Sequence, residues 1–508
     1  MDESEDLHSR KCSETTPLIS GKGSTWPELP TWTRPSRPLL PTPATLRQRL
    51  AYVVNNVTVE PIMFLNIFAW TLQTTLVTNM VLEKVCADRY NHTEAECQNL
   101  TTEVATEATM EAGTEGMQRD TAWVMMMQEI VASLPAVVYV LLLGSWSDTH
   151  GRKLPMLLSF TGSFIATIVY MMNAFWWWLP VEDILVAGVA RGLTGGSITL
   201  LMATYSYISD LSDHTSRTLR IAFLDFAMFI GAPVGLFLSC VIFSSLGYLG
   251  VFSVSGLAFL VAIIYILFYI EDTKSSSISD NNNLPDLPLG KDVCSSQLRD
   301  IFDVRNVMRS LAVAVRRREN YGRAKILSLM IALCLLLFTS GSNQLEYLYA
   351  KRMLGWTYLQ YAQLNIFDIV FGSVGTSLVL PVLSYWLGVQ DTVLAVVGCL
   401  SKTSGFLFTG LGNTATLMYM ASVVSFLAGL PLIVTRAVIS KLVPAEETGA
   451  VFSLLAALEA VVPLISCPTY TLTYAATLDL YPGTMYFLSA IATTMAAFIY
   501  TIISFCDR

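Results

Sequence analysis

Gly144-Ser-Trp-Ser-Asp148-Thr-His-Gly151-Arg152-Lys153 separates two strongly apolar stretches, 122–143 and 154–178. Its glycines permit a tight turn and close approach of neighbouring helices. Asp148 can accept hydrogen bonds from a helix N-terminus, where the backbone dipole favours negative charge. Arg152 and Lys153 are placed to pair with acids on an adjacent helix. Crossing a hydrocarbon core takes about 20 mostly apolar residues, and both flanking stretches meet that length. So do 57–82, 184–208, 219–244 and 250–270, and, after a polar stretch at 271–325, 326–349, 359–386, 391–411, 414–437, 447–473 and 484–504. The pattern is six apolar segments, a long polar loop, and six more.

Composition agrees with a membrane protein. Of 508 residues, 53% are hydrophobic and 14% charged, with mean hydropathy +0.53. Soluble domains carry about 25% charged residues, so the apolar surplus must face lipid. The expected class is an all-α membrane protein of twelve transmembrane helices in two six-helix bundles. The net charge of −8, with no basic patch interleaved with aromatics, gives no sign of a nucleic-acid partner. Nine acids against three bases in 83–120 account for −6 of it. The nine cysteines and four histidines are scattered, without metal-ligand spacing. With no Walker loop or nucleophile–base pair, neither a metal, a cofactor nor an enzyme activity is expected.

Residues 1–56 read as a disordered cytosolic tail: Met1–Pro43 is polar and rich in Ser, Thr and Pro, with no apolar signal core. Basic residues set the orientation. If the tail is cytosolic, 23 Lys and Arg lie inside and five outside, which predicts N-in and C-in. The chain then divides into a bundle at 57–270, a cytosolic loop at 271–325, a second bundle at 326–504 and a short cytosolic end at 505–508. Loop 83–120 falls outside, where Asn91-His-Thr93 and Asn99-Leu-Thr101 are glycosylation acceptors. Cys86 and Cys97 share this loop and can form a disulfide if it is extracytosolic; two free thiols are the alternative. In the tail, Glu14-Thr-Thr-Pro-Leu18-Ile19 fits an acidic dileucine sorting signal for adaptor complexes, a short pattern that also arises by chance.

The run Gly144 to Lys153 resembles the loop signature of the major facilitator superfamily, G-x-x-x-D-x-x-G-R-[KR], and stands between the second and third segments, where that family carries it. The resemblance implies the major facilitator fold and a latch formed by Gly144, Asp148, Gly151, Arg152 and Lys153. The corresponding run near Tyr385 to Asp391 lacks the basic pair. Three further stretches are similar to the proton-coupled folate transporter, haem carrier and thymic stromal cotransporter family (solute carrier family 46): Glu60 to Gln73, Ser209 to Asp225, and Thr435 to Ser453. The similarity spans roughly 57–504.

Ionisable groups inside membrane helices cost ~2.5–3.5 kcal/mol each at the centre, so each one needs a reason. Asp225 matches a family glutamate implicated in proton coupling, which implies that it carries the proton; a structural charge near Arg220 is the alternative. Arg436 matches an arginine implicated in substrate and proton binding and can clamp an anion bidentately, unless it snorkels to the surface. Glu459 and Lys402 lie well inside their helices and can pair with one another, with other charges, or serve transport. Glu129 and Asp368 are further proton-coupling candidates. Gln73, Asn343 and Gln344 are polar positions in the first helix of each half, where facilitator cavities bind solute. The folate transporter's coupling histidine has no counterpart: Thr339-Ser340-Gly341-Ser342 occupies its place. Folate as the solute is therefore doubtful, and coupling must rest on carboxylates, with the proton as coupling ion. The expected activity is proton-coupled symport of a small organic anion, folate-like, peptide-conjugate or nucleotide-like, across the plasma or lysosomal membrane. Proton-antiport efflux and a non-transporting receptor or scaffold remain open alternatives.

Overall fold

The computed structural model describes residues 57–93, 95–98, 114–211, 217–271, 322–381, 389–443 and 448–506. The tail with Glu14, Leu18 and Ile19, most of loop 271–325, Asn99, and the side chains of Gly144 and Asp148 lie outside the described residues. Among the described residues the long elements are helices: α1 (Glu60–Tyr90), α2 (Thr114–His150), α3 (Lys153–Phe175), α4 (Leu185–Leu193), α5 (Gly196–Leu211), α6 (Arg217–Tyr269), α7 (Gly322–Phe338), α8 (Glu346–Leu354), α9 (Tyr358–Pro381), α10 (Asp391–Gly410), α11 (Ala415–Val424), α12 (Leu430–Leu442), α13 (Thr448–Thr477) and α14 (Thr484–Cys506). Nine helical segments among the described residues are long and apolar enough to cross a membrane.

Helix α14 shows how such a sequence packs. Ser489, Thr493, Ala496 and Tyr500 are buried, while Ile491, Met495, Phe498, Ile502 and Phe505 are exposed. Small and hydroxylated residues face protein and large apolar ones face outward, at helical spacing. That is the arrangement expected where lipid solvates the large side chains and small ones let backbones approach.

Several boundaries differ from the sequence reading. Loop 83–120 is shorter than expected, because α1 continues to Tyr90 and α2 begins at Thr114. The extension of α1 is held by Lys84, which is fully buried and donates to the Asn173 side chain at 3.0 Å and the Leu179 carbonyl at 2.9 Å. A composition window reads Glu83 and Lys84 as loop; their partners keep them in the helix. Helix α6 covers both 219–244 and 250–270, divided at Gly247 (φ 63°, ψ −159°), a conformation that only glycine adopts without strain. Segment 184–208 is split into α4 and α5 by Gly195 and Gly196, both at positive φ. Segment 414–437 is likewise split into α11 and α12. Helix α7 tightens into a 3-10 turn over Thr339–Ser342 before α8.

Two halves emerge from the packing. Helix α6 lies along α1 and α3, and α14 along α7 and α10. A β-carbon at Gly235 would sit 2.5 Å from the Phe68 carbonyl oxygen, so the glycine lets α6 approach α1. Each half has its own apolar core toward the Gly151 face: Met63, Phe160 and Phe259 in the first, Leu333, Cys399 and Tyr500 in the second. Toward the opposite face, where the Cys86 loop lies, one core spans both halves through Val81, Phe252, Tyr347 and Tyr474. Contacts of α13 with α2, and of α9 with α6, join the halves.

Candidate functional site

A hydrogen-bonded pair and an ion pair face one another across the halves. On the first half, Tyr205 of α5 donates its hydroxyl to Asp225 Oδ1 of α6 at 2.6 Å. On the second, the Arg436 guanidinium of α12 is hydrogen-bonded to Glu459 of α13. The charge of Arg436 reaches both Asp225 and Tyr205, and that of Glu459 reaches Tyr205. All four side chains are partly buried. The set combines a carboxylate able to carry a proton, a hydroxyl that holds it in place, and a guanidinium able to meet an anion. Glu459 pairs with Arg436, and Lys402 lies elsewhere, so the two do not pair with each other.

A second cluster lies within the second half, around a cavity of about 400 Å³. Asn343, Asp368 and Lys402 line it, together with Glu346, Tyr361 and Phe406. Tyr361 donates to Glu346 Oε2 at 3.3 Å, so Glu346 is partly buried rather than simply exposed at a helix end. The remaining candidates are placed more tightly. Gln73 is buried in the first half, its side-chain oxygen accepting from Thr167 at 3.1 Å and Ser255 at 3.2 Å. Gln344 accepts a thiol contact from Cys467 at 3.5 Å. Glu129 accepts from Ser133 at 3.2 Å and lies within electrostatic reach of Arg191. The structure thus brings Asp225, Arg436 and Glu459 together, and separately Asn343, Asp368 and Lys402; Gln73, Gln344 and Glu129 belong to neither group.

At the Gly151 face, Gly151 turns the chain at φ 111°. Arg152 reaches Asp210 at 3.2 Å and also bonds Ser147. Lys153 donates to the Leu267 carbonyl at 3.0 Å. The motif therefore ties α2 and α3 to the ends of α5 and α6, all within the first half. At the opposite face, polar contacts cross between halves: Tyr347 bonds Asn79, Ser239 meets Tyr358 at 2.6 Å, Tyr474 donates to Gln118 at 3.3 Å, and Arg352 pairs with Glu115. Cys86 and Cys97 are joined by a disulfide, and Asn91 caps α1 in an exposed, left-handed conformation.

The sequence reading had no signal for Tyr205, because an uncharged tyrosine in a membrane helix shows nothing of a partner twenty residues on. It missed the buried network of Asn79, Glu83, Tyr248 and Tyr347 because it placed Glu83 in a loop and the tyrosine partners lie on α6 and α8.

The model of one family matches residues 61–467, and its description is Major Facilitator Superfamily. The chain belongs to the Major Facilitator Superfamily. It is thus an integral membrane transporter and not an enzyme. Among curated facilitators, it is 27% identical over 444 residues to the human lysosomal proton-coupled steroid conjugate and bile acid symporter SLC46A3, covering 85% of this chain and 91% of that one. It is 26% identical over 446 residues to the probable peptidoglycan muropeptide transporter SLC46 of Drosophila melanogaster, covering 85% and 82%. The proton-coupled folate transporter of Bos taurus is 24% identical over 447 residues, covering 85% and 88%. Among solved facilitator structures, the human organic anion transporter MFSD10 superposes with a TM-score of 0.59 at 16% identity, over 87% of this chain and 97% of that one.

Proposed function

We propose that this facilitator is a proton-coupled symporter that carries a small organic anion toward the cytosol. The single observation that carries the reading is the Tyr205–Asp225 pair set opposite the Arg436–Glu459 pair, one pair on each half. With Asp225 ionised, its charge and that of Glu459 both hold Arg436. A proton on Asp225 removes one of those attractions, and an arriving anion can then compete with Glu459 for the guanidinium. Loading of proton and solute would thereby be coupled through Arg436. Release to the cytosol reverses the order: as the proton leaves, Asp225 and Glu459 reclaim Arg436. The names of the curated relatives support both the coupling ion and a solute of this general kind.

The same reading includes twelve crossings, N-in and C-in. Helix α6 contributes two, on either side of Gly247; α4 with α5, α7 with α8, and α11 with α12 contribute one each. Rocking of the halves about a solute held between them would give alternating access. The Gly144 to Lys153 run then faces the cytosol as a latch, and Asn91 and Asn99 face outside as glycosylation sites. The lysosomal SLC46A3 relatives support a lysosomal location, with the plasma membrane as the alternative, and Glu14, Leu18 and Ile19 would recruit adaptor complexes.

The test is uptake in cells expressing the chain with Leu18 and Ile19 changed to Ala, which forces surface display. Labelled folate, bile-acid conjugate and muramyl peptide are offered at about pH 5.5 and about pH 7.4. Acid-stimulated uptake of one solute, lost in Asp225→Asn, is the expected result. No uptake of any solute at either pH, with surface display confirmed, would refute the reading in favour of efflux or a receptor role.

A further inference from the structure

The cavity inside the second half holds charges of both signs that do not meet. None of Tyr205, Asp225, Arg436 and Glu459 lines it, so it is distinct from the pairs that face each other across the halves. Among the described residues, no hydrogen bond or ion pair engages the Lys402 ammonium; it lies 5.7 Å from the centre of the Phe406 ring. Among the described residues Glu346 accepts a hydrogen bond from Tyr361, and Ser422 lines the same cavity as Asp368. Glu346 is within electrostatic reach of both Asp368 and Lys402. Opposite charges inside a protein close on each other when nothing prevents it, because an unpaired charge there is costly. Here a void separates them.

We propose that this cavity is a subsite for the amphoteric end of a small solute, one bearing both an ammonium and a carboxylate. Lys402 receives the carboxylate, and Glu346 with Asp368 receives the ammonium. The presence of both signs in one cavity selects this class. A simple anion would meet two carboxylates against one ammonium. A simple cation would meet Lys402. A ligand with both groups sets an opposite charge against Lys402 and against the two carboxylates together, and Phe406 and Tyr486 add aromatic wall to the cavity. The volume of about 400 Å³ lies in the range of small-molecule sites, about 300–1,000 Å³, and far exceeds what a lone ion fills. The inference rests on the reading of the chain as a solute transporter and narrows its solute class.

The experiment uses the purified full chain in detergent and calorimetric titration with three probes: alanyl-alanine, N-acetyl-alanyl-alanine and alanyl-alaninamide. Each blocked form lacks one of the two charges. The free dipeptide should bind at least ~10-fold tighter than either blocked form, as expected for loss of a charge-assisted hydrogen bond. Lys402→Met should abolish discrimination against the amide while keeping that against the acetyl form, and Glu346→Gln should do the reverse. Equal binding of all three probes, or no binding of any up to about 20 mM, overturns the proposal. Equal binding of the three probes by the unmodified chain refutes the proposal even if a variant fails to fold, and Arg436→Gln, which lies outside this cavity, should keep the discrimination. No proton gradient is present in this assay, so failure of proton coupling leaves its outcome intact. Conversely, proton-driven uptake without probe discrimination refutes the subsite alone.

Discussion

Arg436 has two claimants in the empty carrier, Glu459 by direct hydrogen bond and Asp225 by charge. If Glu459 competes with the solute for the guanidinium, Glu459→Gln should bind solute more tightly and release it more slowly. The expected signature is a lower KM together with a lower maximal rate in uptake kinetics. Arg436→Lys keeps the charge but loses the planar fork that engages a carboxylate with two parallel bonds. It should raise KM by ~10-fold, about 1.4 kcal/mol of binding. An Arg436→Lys carrier with unchanged KM would mean that the guanidinium does not touch solute. At this scale the sequence was partly legible. Asp225, Arg436 and Glu459 stand out because an ion in a membrane helix is expensive. Tyr205, which holds Asp225, does not, because its partner is set by how α5 and α6 pack and not by any local pattern.

Among the elements, α6 carries two glycines that act for different reasons. Gly247 has open space around its Cα, with no atom within 4 Å of an added β-carbon, so its requirement is conformational. Gly235 has ordinary helical geometry, and its requirement is steric, against the Phe68 carbonyl of α1. Ala at either position should destabilise the carrier by ~1–3 kcal/mol, through backbone strain at 247 and overpacking at 235. Thermal melting in detergent checks both. A second change at Thr71, which also crowds the site, should not rescue Gly235→Ala, because the backbone of α1 remains in the way. Apolar length pointed to the helices from the sequence, and nine segments among the described residues are long and apolar enough to cross a membrane, yet their ends and interruptions were less legible. The breaks at Gly195 and at Thr339–Ser342 sit inside runs whose composition reads as uninterrupted helix. The end of α1 runs past its apolar window because the buried Asn173 satisfies Lys84 there.

For the whole molecule, the face carrying the disulfide is closed by a shared core and by hydrogen bonds between halves, whereas toward the Gly151 face each half keeps its own core. Alternating access requires the closed contacts to break in the opposite state. Tyr347→Phe, which removes the bond to Asn79 while keeping the ring, should shift the population toward opening at that face. A cysteine placed at Gln118, which is 4% exposed beside Tyr474, reports it. A membrane-impermeant thiol reagent should label Gln118→Cys faster in the Tyr347→Phe background. Equal labelling would mean that this bond does not hold the face shut.

The most direct test of coupling is solute-driven proton movement in proteoliposomes holding a pH-sensitive dye, with the solute identified by uptake added outside. The proposed mechanism predicts acidification of the lumen by the unmodified chain and none by Asp225→Asn. Equal acidification by Asp225→Asn would show that the proton travels by another group and would contradict the role given to the Asp225–Arg436 pair.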